Sequence, residues 1–335
     1  MLRKILIAVV AVALVLYAFY LINSTSEVKD EILRNDSGFV NILKGKEFSA
    51  VAYYKDKIYA GGIQGLYLID PVTFQYEELE DNGKAFKTVR AIYIDRDMLW
   101  VGHENGIAIL GDGKNQRIGK EEGMADPKVI DIARADENTM YAATYSGVAK
   151  ISDNGISYMT VKEGLPADTI KTILKDSFGW IWFGAYTSRG EGVVCKKGNE
   201  VQSFDIGNGL VHNCITSIVE MPGHKILVGG GVFTEGGANI LEYTGEKWKI
   251  IKTIKKEDGL AGDKVRNIFI DDHKNIWFCS EYDGVAIFKE NGEKAILTDK
   301  NGLSDNEVKK VVQDGDGNYW LATKNGITII GRAFI

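Results

Sequence analysis

The sequence predicts an all-β fold: a seven-bladed β-propeller of four-stranded antiparallel blades, preceded by one N-terminal transmembrane helix. Three observations predict it. The first is a pattern near the C-terminus, Gly302-Leu303, then Val308, Val311, Asp314, Gly317, Trp320, Thr323 and Gly326. The second is its recurrence, about seven times at a period of roughly 41 to 50 residues, a spacing that marks propellers and solenoids. The third is the make-up of each copy: short apolar runs between turn clusters, with no helical run between units, which selects the propeller.

Within the last copy, Val308 and Val311 belong to one apolar run, and Asp314-Gly315-Asp316-Gly317 is a turn. Tyr319-Trp320-Leu321 is a second run, Thr323-Lys324-Asn325-Gly326 a second turn, and Ile327-Thr328-Ile329-Ile330 a third run. Loops this short join only antiparallel neighbours, so the unit is a meander. Further copies carry Val265, Ile268, Asp271, Trp277, Ser280 and Gly284; Ile170, Ile173, Asp176, Gly179, Trp182 and Ala185; and Val89, Ile92, Asp95, Trp100, His103 and Gly106. Weaker ones contain Ile130, Asp136, Tyr141 and Thr144; Ile215, Ile218 and Leu227; and Phe48, Val51, Tyr59 and Gly65.

This run of residues resembles the two-component regulator propeller repeat, which builds extracytoplasmic sensor regions of bacterial hybrid histidine kinases. The likeness covers nearly everything after about Val40 and is most specific around Trp182, Trp277 and Trp320. It weakens near Leu227, where Pro222-Gly223-His224 replaces the Asp-x-x-Gly turn, and no kinase sequence follows the repeats before Ile335. The resemblance implies ligand sensing or partner recognition without catalysis. A separate signalling protein is then an expected partner.

The last copy ends after three strands, whereas others add a fourth, such as Lys294–Leu297 or Val201–Phe204. An unpaired strand edge must be covered. Phe39-Val40-Asn41-Ile42-Leu43 precedes the first copy and is expected to pair beside Ile327–Ile330, closing the ring. The tryptophans recur in register with Tyr59, Tyr141 and Leu227, so they read as packing between blades rather than as sugar-stacking platforms. Lys247, Lys249, Lys252, Lys255 and Lys256 around Trp248 suit an outer edge strand protected by lysine.

Composition sets further bounds. The net charge of −6 gives no basis for a nucleic-acid partner. Cys195, Cys214 and Cys279 form no C-x-x-C, so zinc and thioredoxin chemistry are unsupported. They read as small buried residues, with a Cys195–Cys214 bridge left open. No motif calls for a cofactor or a metal. Asp314-Gly315-Asp316-Gly317-Asn318 imitates the start of a calcium loop but lacks the downstream glutamate, and Asp-x-x-Gly is the repeat's own turn.

Residues 1–22 are expected to anchor the chain. Arg3 and Lys4 precede an uncharged run, Ile5–Ile22, of about 18 residues, long enough to span a bilayer. Tyr17 and Tyr20 suit the interface, and no small-residue cleavage site follows. The alternative is export with cleavage of this segment. Residues 23–39 read as a polar linker, and 40–335 as the propeller.

Strand alternation puts the Gly-Leu loops and the loops after the second strands around one mouth. What does not repeat there is the candidate ligand site: Tyr145, Tyr186, Arg189, Glu191, Phe233, Glu235, Glu281 and Tyr282. Aromatic rings beside Arg189 and carboxylates suit a small polar ligand or glycan fragment. An assembly scaffold at the cell envelope is a second reading. A lyase-like enzyme using His103, His212 and Glu191 is a third, set against their non-adjacent blades. The membrane reading makes a direct prediction. A reporter enzyme active only outside the cytoplasm is expected to be active when fused after Ile335. Activity there of a cytoplasm-only reporter contradicts it.

Overall fold

The computed structural model describes residues 33–34, 38–111, 115–187 and 192–335. The expected anchor over 1–22, and all of the linker but its last few residues and Leu33–Arg34, lie outside them. Among the described residues no helix is long and apolar enough to cross a membrane. Seven antiparallel sheets form the ring. Their innermost strands begin at Phe48, Ala91, Asp131, Ile170, Ile215, Val265 and Val308 in blades 1 to 7. These strands touch in chain order, and the last touches the first.

Blade 7 combines Val308–Gln313, Tyr319–Thr323 and Gly326–Ile330 from the C-terminus with Phe39–Ile42 from the N-terminal side. Phe39 lies opposite Ile330 and Ile42 opposite Ile327, as ring closure requires. The strand starts one residue before the expected domain boundary. The Thr328 hydroxyl donates to Asn41 Oδ1 at 2.7 Å, and Asn41 Nδ2 donates to the Gly302 carbonyl at 2.9 Å. These bonds satisfy polar groups that closure buries.

The repeat's aspartate and tryptophan form one physical unit. Asp314 Oδ1 accepts the backbone N–H groups of Asp316 and Asn318 at 3.0 and 2.8 Å, and its Oδ2 accepts the indole N–H of Trp320 at 2.9 Å. Asp271 does the same for His273, Asn275 and Trp277, and Asp176 for Phe178, Trp180 and Trp182. One carboxylate thus closes the turn and holds the indole six residues later. That geometry explains the calcium-like run at Asp314–Asn318: its first carboxylate is already occupied by N–H donors. Trp182, Trp277 and Trp320 are fully buried. Trp182 meets Trp248 of blade 5 at 4.7 Å between ring centroids, Trp277 meets Tyr319 of blade 7 at 4.4 Å, and Trp320 meets Phe74 of blade 1 at 5.9 Å. The indoles therefore fill the gaps between blades, as expected.

Close blade contact also needs small residues two positions after the tryptophan. A Cβ added at Gly184 would come within 2.7 Å of Ile215, and one at Gly229 within 2.7 Å of Ile268. Ala143, Cys279 and Ala322 hold the equivalent positions elsewhere. Cys279 is thus a packing residue. All three cysteines are buried and free, so Cys195 and Cys214 are not bridged. The Gly-Leu pairs end 3-10 turns and bury Leu165, Leu210, Leu260 and Leu303 between blades. Trp248–Ile254 is the outer strand of blade 5, with Lys249 and Lys252 exposed.

Blade 2 breaks the unit. Asp95 stands five residues before Trp100 and pairs with Arg134 of blade 3, and the Trp100 indole nitrogen is buried without a partner. Two variants separate the cases by denaturant unfolding. Trp320→Ala is expected to cost about 3–5 kcal/mol, as a buried large-to-small change. Trp100→Phe removes an unpaired donor and should cost no more than about 0.5 kcal/mol. A Trp320→Ala cost below about 1 kcal/mol would contradict the packing role.

Candidate functional site: the channel mouth

Each innermost strand begins with the same irregularity. In five blades the register slips between the first and third residues, at Phe48/Ala50, Ile170/Thr172, Ile215/Ser217, Val265/Asn267 and Val308/Lys310. In the other two, the N–H of Arg90 bonds Gly102, which also faces Ala91, and that of Ile130 bonds Ala143, which also faces Asp131. Two residues oppose one, which is a β-bulge, and a bulge re-aims a side chain. The residues so placed are Ser49, Arg90, Ile130, Lys171, Thr216, Arg266 and Lys309. All line the central channel, a cavity of about 510 Å³. Four of the seven are cations.

Three of these cations are already matched. Arg90 binds Glu104 at 2.6 Å. Arg266 reaches Glu307 at 3.1 Å and Glu281 at 3.8 Å. Lys309 pairs with Glu47 of the blade 1 entrance and with Glu307 at 3.3 Å. Lys171 has no hydrogen-bonded or ion-paired side chain among the described residues. Asp131, an acid inside the channel, instead accepts the backbone N–H groups of Ile132 at 3.0 Å and of Ile173 at 2.8 Å, stitching blade 3 to blade 4. Burial raises the Asp131 carboxyl, and those two hydrogen bonds with nearby Lys310 and Lys171 only partly oppose this. The Lys171 amine is held down at about 8. Burial is the main cause, then repulsion from Arg266; Asp131 offsets part of it, and Arg90 and Lys309 add to it.

Of the residues expected at the site, Tyr145 and Tyr186 line this channel. Both are exposed, and the Arg90 guanidinium lies over the Tyr145 ring at 5.9 Å from its centroid. The backbone of Tyr186 bridges to Cys214 at the entrance of blade 5. Phe233 and Tyr282 stack across blades 5 and 6, their rings 5° from parallel with centroids 6.3 Å apart, and both are exposed. Glu235 is exposed at the start of its strand. Glu281 differs from the expectation of a free carboxylate: it is largely buried and ion-paired with Lys264 and Arg266. Burial alone would raise its carboxyl; the Lys264 hydrogen bond and the charge of Arg266 outweigh this and hold it below the usual range. Arg189 and Glu191 lie outside the described residues.

The histidines serve the loops. His103 Nδ1 accepts the N–H of Asn105 at 3.4 Å, the task that Thr323 performs for Asn325 at 3.1 Å in blade 7. The ring packs edge-on against Phe86, and burial lowers its pKa to about 4. His212 Nδ1 accepts the N–H of Cys214 at 2.8 Å, and burial lowers it too. They sit in separate blades, 2 and 5. Arg90, Lys171, Arg266 and Lys309 were not among the expected site residues. The available signal was a cation directly after the first apolar residue of the V-x-x-V run in four copies.

The charge on Lys171 yields a pH prediction. An amine depressed in the fold opposes folding in full below about pH 8, and this opposition fades as pH rises toward the unfolded value of about 10.4. Lys171→Met should therefore stabilise the protein at pH 7 by on the order of 1–3 kcal/mol. The advantage should shrink toward zero by about pH 10 in urea unfolding. Destabilisation at pH 7 would contradict an unpaired charge.

Comparison with known proteins completes the description. The sequence model described as the two component regulator propeller matches residues 164–187 and 295–325. No curated protein matches the sequence. Among solved structures, the extracellular domain described as that of hybrid two component system BT3049 from B. thetaiotaomicron superposes with a TM-score of 0.72 at 17% identity, over 89% of this chain and 40% of that one. The extracellular domain described as that of one component system BT4673 from the same organism gives 0.69 at 15%, over 87% and 39%. This chain therefore spans about two fifths of their length. A streptogramin B lyase gives 0.64 at 14%, over 86% and 95%. At such identities the likeness establishes the fold alone. Two of the repeats thus match the two component regulator propeller model, and the aspartate–indole clamps and the seven-bladed ring are consistent with that likeness.

Proposed function

We propose that this chain is a membrane-anchored, extracytoplasmic recognition module that binds a small polar ligand at its channel mouth and performs no catalysis. One observation carries the reading: Tyr145 and Tyr186, which the repeat does not require, stand exposed at the rim of a charged channel whose lining comes from every blade. A concave site with aromatic walls and a few convergent charges is the usual form of a ligand pocket. The extracellular origin of the neighbouring propellers supports placing the mouth outside the cytoplasm. The lyase reading is disfavoured because His103 and His212 each use a ring nitrogen to hold a backbone N–H.

An assembly role is the second reading, favoured by the exposed Phe233–Tyr282 stack. It also draws on the likeness to PorZ of Porphyromonas gingivalis, described as a surface component of the type-IX secretion system, with a TM-score of 0.64 at 13% identity over 85% of this chain and 46% of that one.

The test is a screen of glycan fragments and small acids against the full chain in detergent, followed by calorimetry. Tyr145→Ala and Tyr186→Ala should each weaken binding of a hit by about tenfold, the scale of one aromatic contact. Their melting temperatures should stay nearly unchanged, since exposed loop residues support little core. Parent-like affinity in both variants would overturn the reading. A pull-down partner lost on Phe233→Ser, with no small ligand found, would support the assembly role instead.

A further inference from the structure

Three features of the channel point the same way. Four cations occupy one repeat position, and the bulge aims them all into one cavity. Of these, Lys171 is the one without a carboxylate among the described residues, although it is half-buried and lies within the field of the other three. An unpaired buried charge costs stability, so a purely structural position would be better filled by a neutral residue. In ring order, Lys171 of blade 4 and Arg90 of blade 2 flank blade 3, whose equivalent residue is the uncharged Ile130. Tyr145 extends from blade 3 over this gap, close to Arg90. Tyr186 lines the same channel, between the entrances of blades 4 and 5.

We propose that the mouth binds a small oxyanion, as a carboxylate, sulfate or phosphate group, between Lys171 and Arg90, with Tyr145 and Tyr186 beside it. This rests on the mouth being the recognition surface and names the chemistry it recognises. Lys171 supplies the uncompensated positive charge. Arg90 is tied to Glu104 through Nη2 and donates through Nη1 to the Thr88 carbonyl at 3.4 Å, and its remaining N–H groups can turn to a further acceptor. The tyrosine hydroxyls can donate to an oxyanion, and their rings give the rest of a ligand an apolar wall. Asp131 and Glu47 are the acids lining the channel, and Glu47 is paired with Lys309. The oxygens of Asp131 are directed at the N–H groups of Ile132 and Ile173.

The experiment uses the full chain in detergent at pH 7 and constant ionic strength. Melting temperature and calorimetry are followed against inorganic phosphate, sulfate and malonate, with chloride and a neutral sugar as controls. At least one oxyanion should raise the melting temperature in a saturable way, and the arm that responds identifies the source of the group. Lys171→Met, which folds without its unpaired charge, should weaken that binding at least about tenfold, as expected for one lost charge-assisted hydrogen bond. Lys171→Arg should retain it. Equal responses of parent and Lys171→Met, or no response to any oxyanion, would overturn the proposal. A neutral polar ligand that binds both proteins alike, and is weakened by Tyr145→Ala, would sink the oxyanion assignment while leaving the recognition reading in place.

Discussion

The bond between an aspartate and the indole six residues later is what the remaining architecture depends on. In blades 4, 6 and 7 the carboxylate takes two backbone N–H groups from the turn and one from the tryptophan ring. The turn cannot loosen without releasing the indole, and the indole cannot move without opening the gap to the next blade. Local turn chemistry and long-range packing therefore depend on the same atoms. In blade 6 the coupling extends further, because the Tyr319 hydroxyl of blade 7 donates to Asp271 Oδ2 at 2.9 Å. A charged group that accepts several hydrogen bonds in a buried site is stable there only while all are made.

This arrangement leaves the inner rim free to vary. The scaffold needs the apolar residues on either side of the bulge and the small residue that receives them, but the bulged residue itself faces the channel. Serine, arginine, isoleucine, lysine and threonine all occur there without change to the strand that carries them. The cations of blades 6, 7 and 2 are each paired with carboxylates from neighbouring loops. Lys171 is the exception among the four bulged cations; Lys310, which also lines the channel, is exposed. Lys171 is the point at which stability and chemical reactivity toward a ligand pull in opposite directions, which is common at functional positions.

The ring itself could be read from residues, because Asp314, Trp320 and their counterparts recur with fixed spacing and each has one physical task. Closure by Phe39–Ile42 was legible from counting strands in the last copy. The site was less so. Loop differences marked Tyr145 and Tyr186, which line the channel, but they could not distinguish an exposed carboxylate from Glu281, whose partners Lys264 and Arg266 lie in the adjacent strand entrance. Nor did they reveal the rim cations. Strict strand alternation assigns side chains to faces by parity, and the bulge shifts that parity by one residue. His103 was misleading for a related reason: a histidine in place of threonine looks like chemistry, yet it accepts the same loop N–H.

The scaffold holds Lys171 without an ion-paired carboxylate among like charges at the channel mouth. Titration of the Lys171 side chain by NMR, with selectively labelled lysine and Lys171→Met to assign the resonance, measures this directly. The expected midpoint is near the value of about 8 that burial and the surrounding cations impose. A midpoint at the ordinary lysine value of about 10.4 would show that the charge is solvated or paired, and would contradict it.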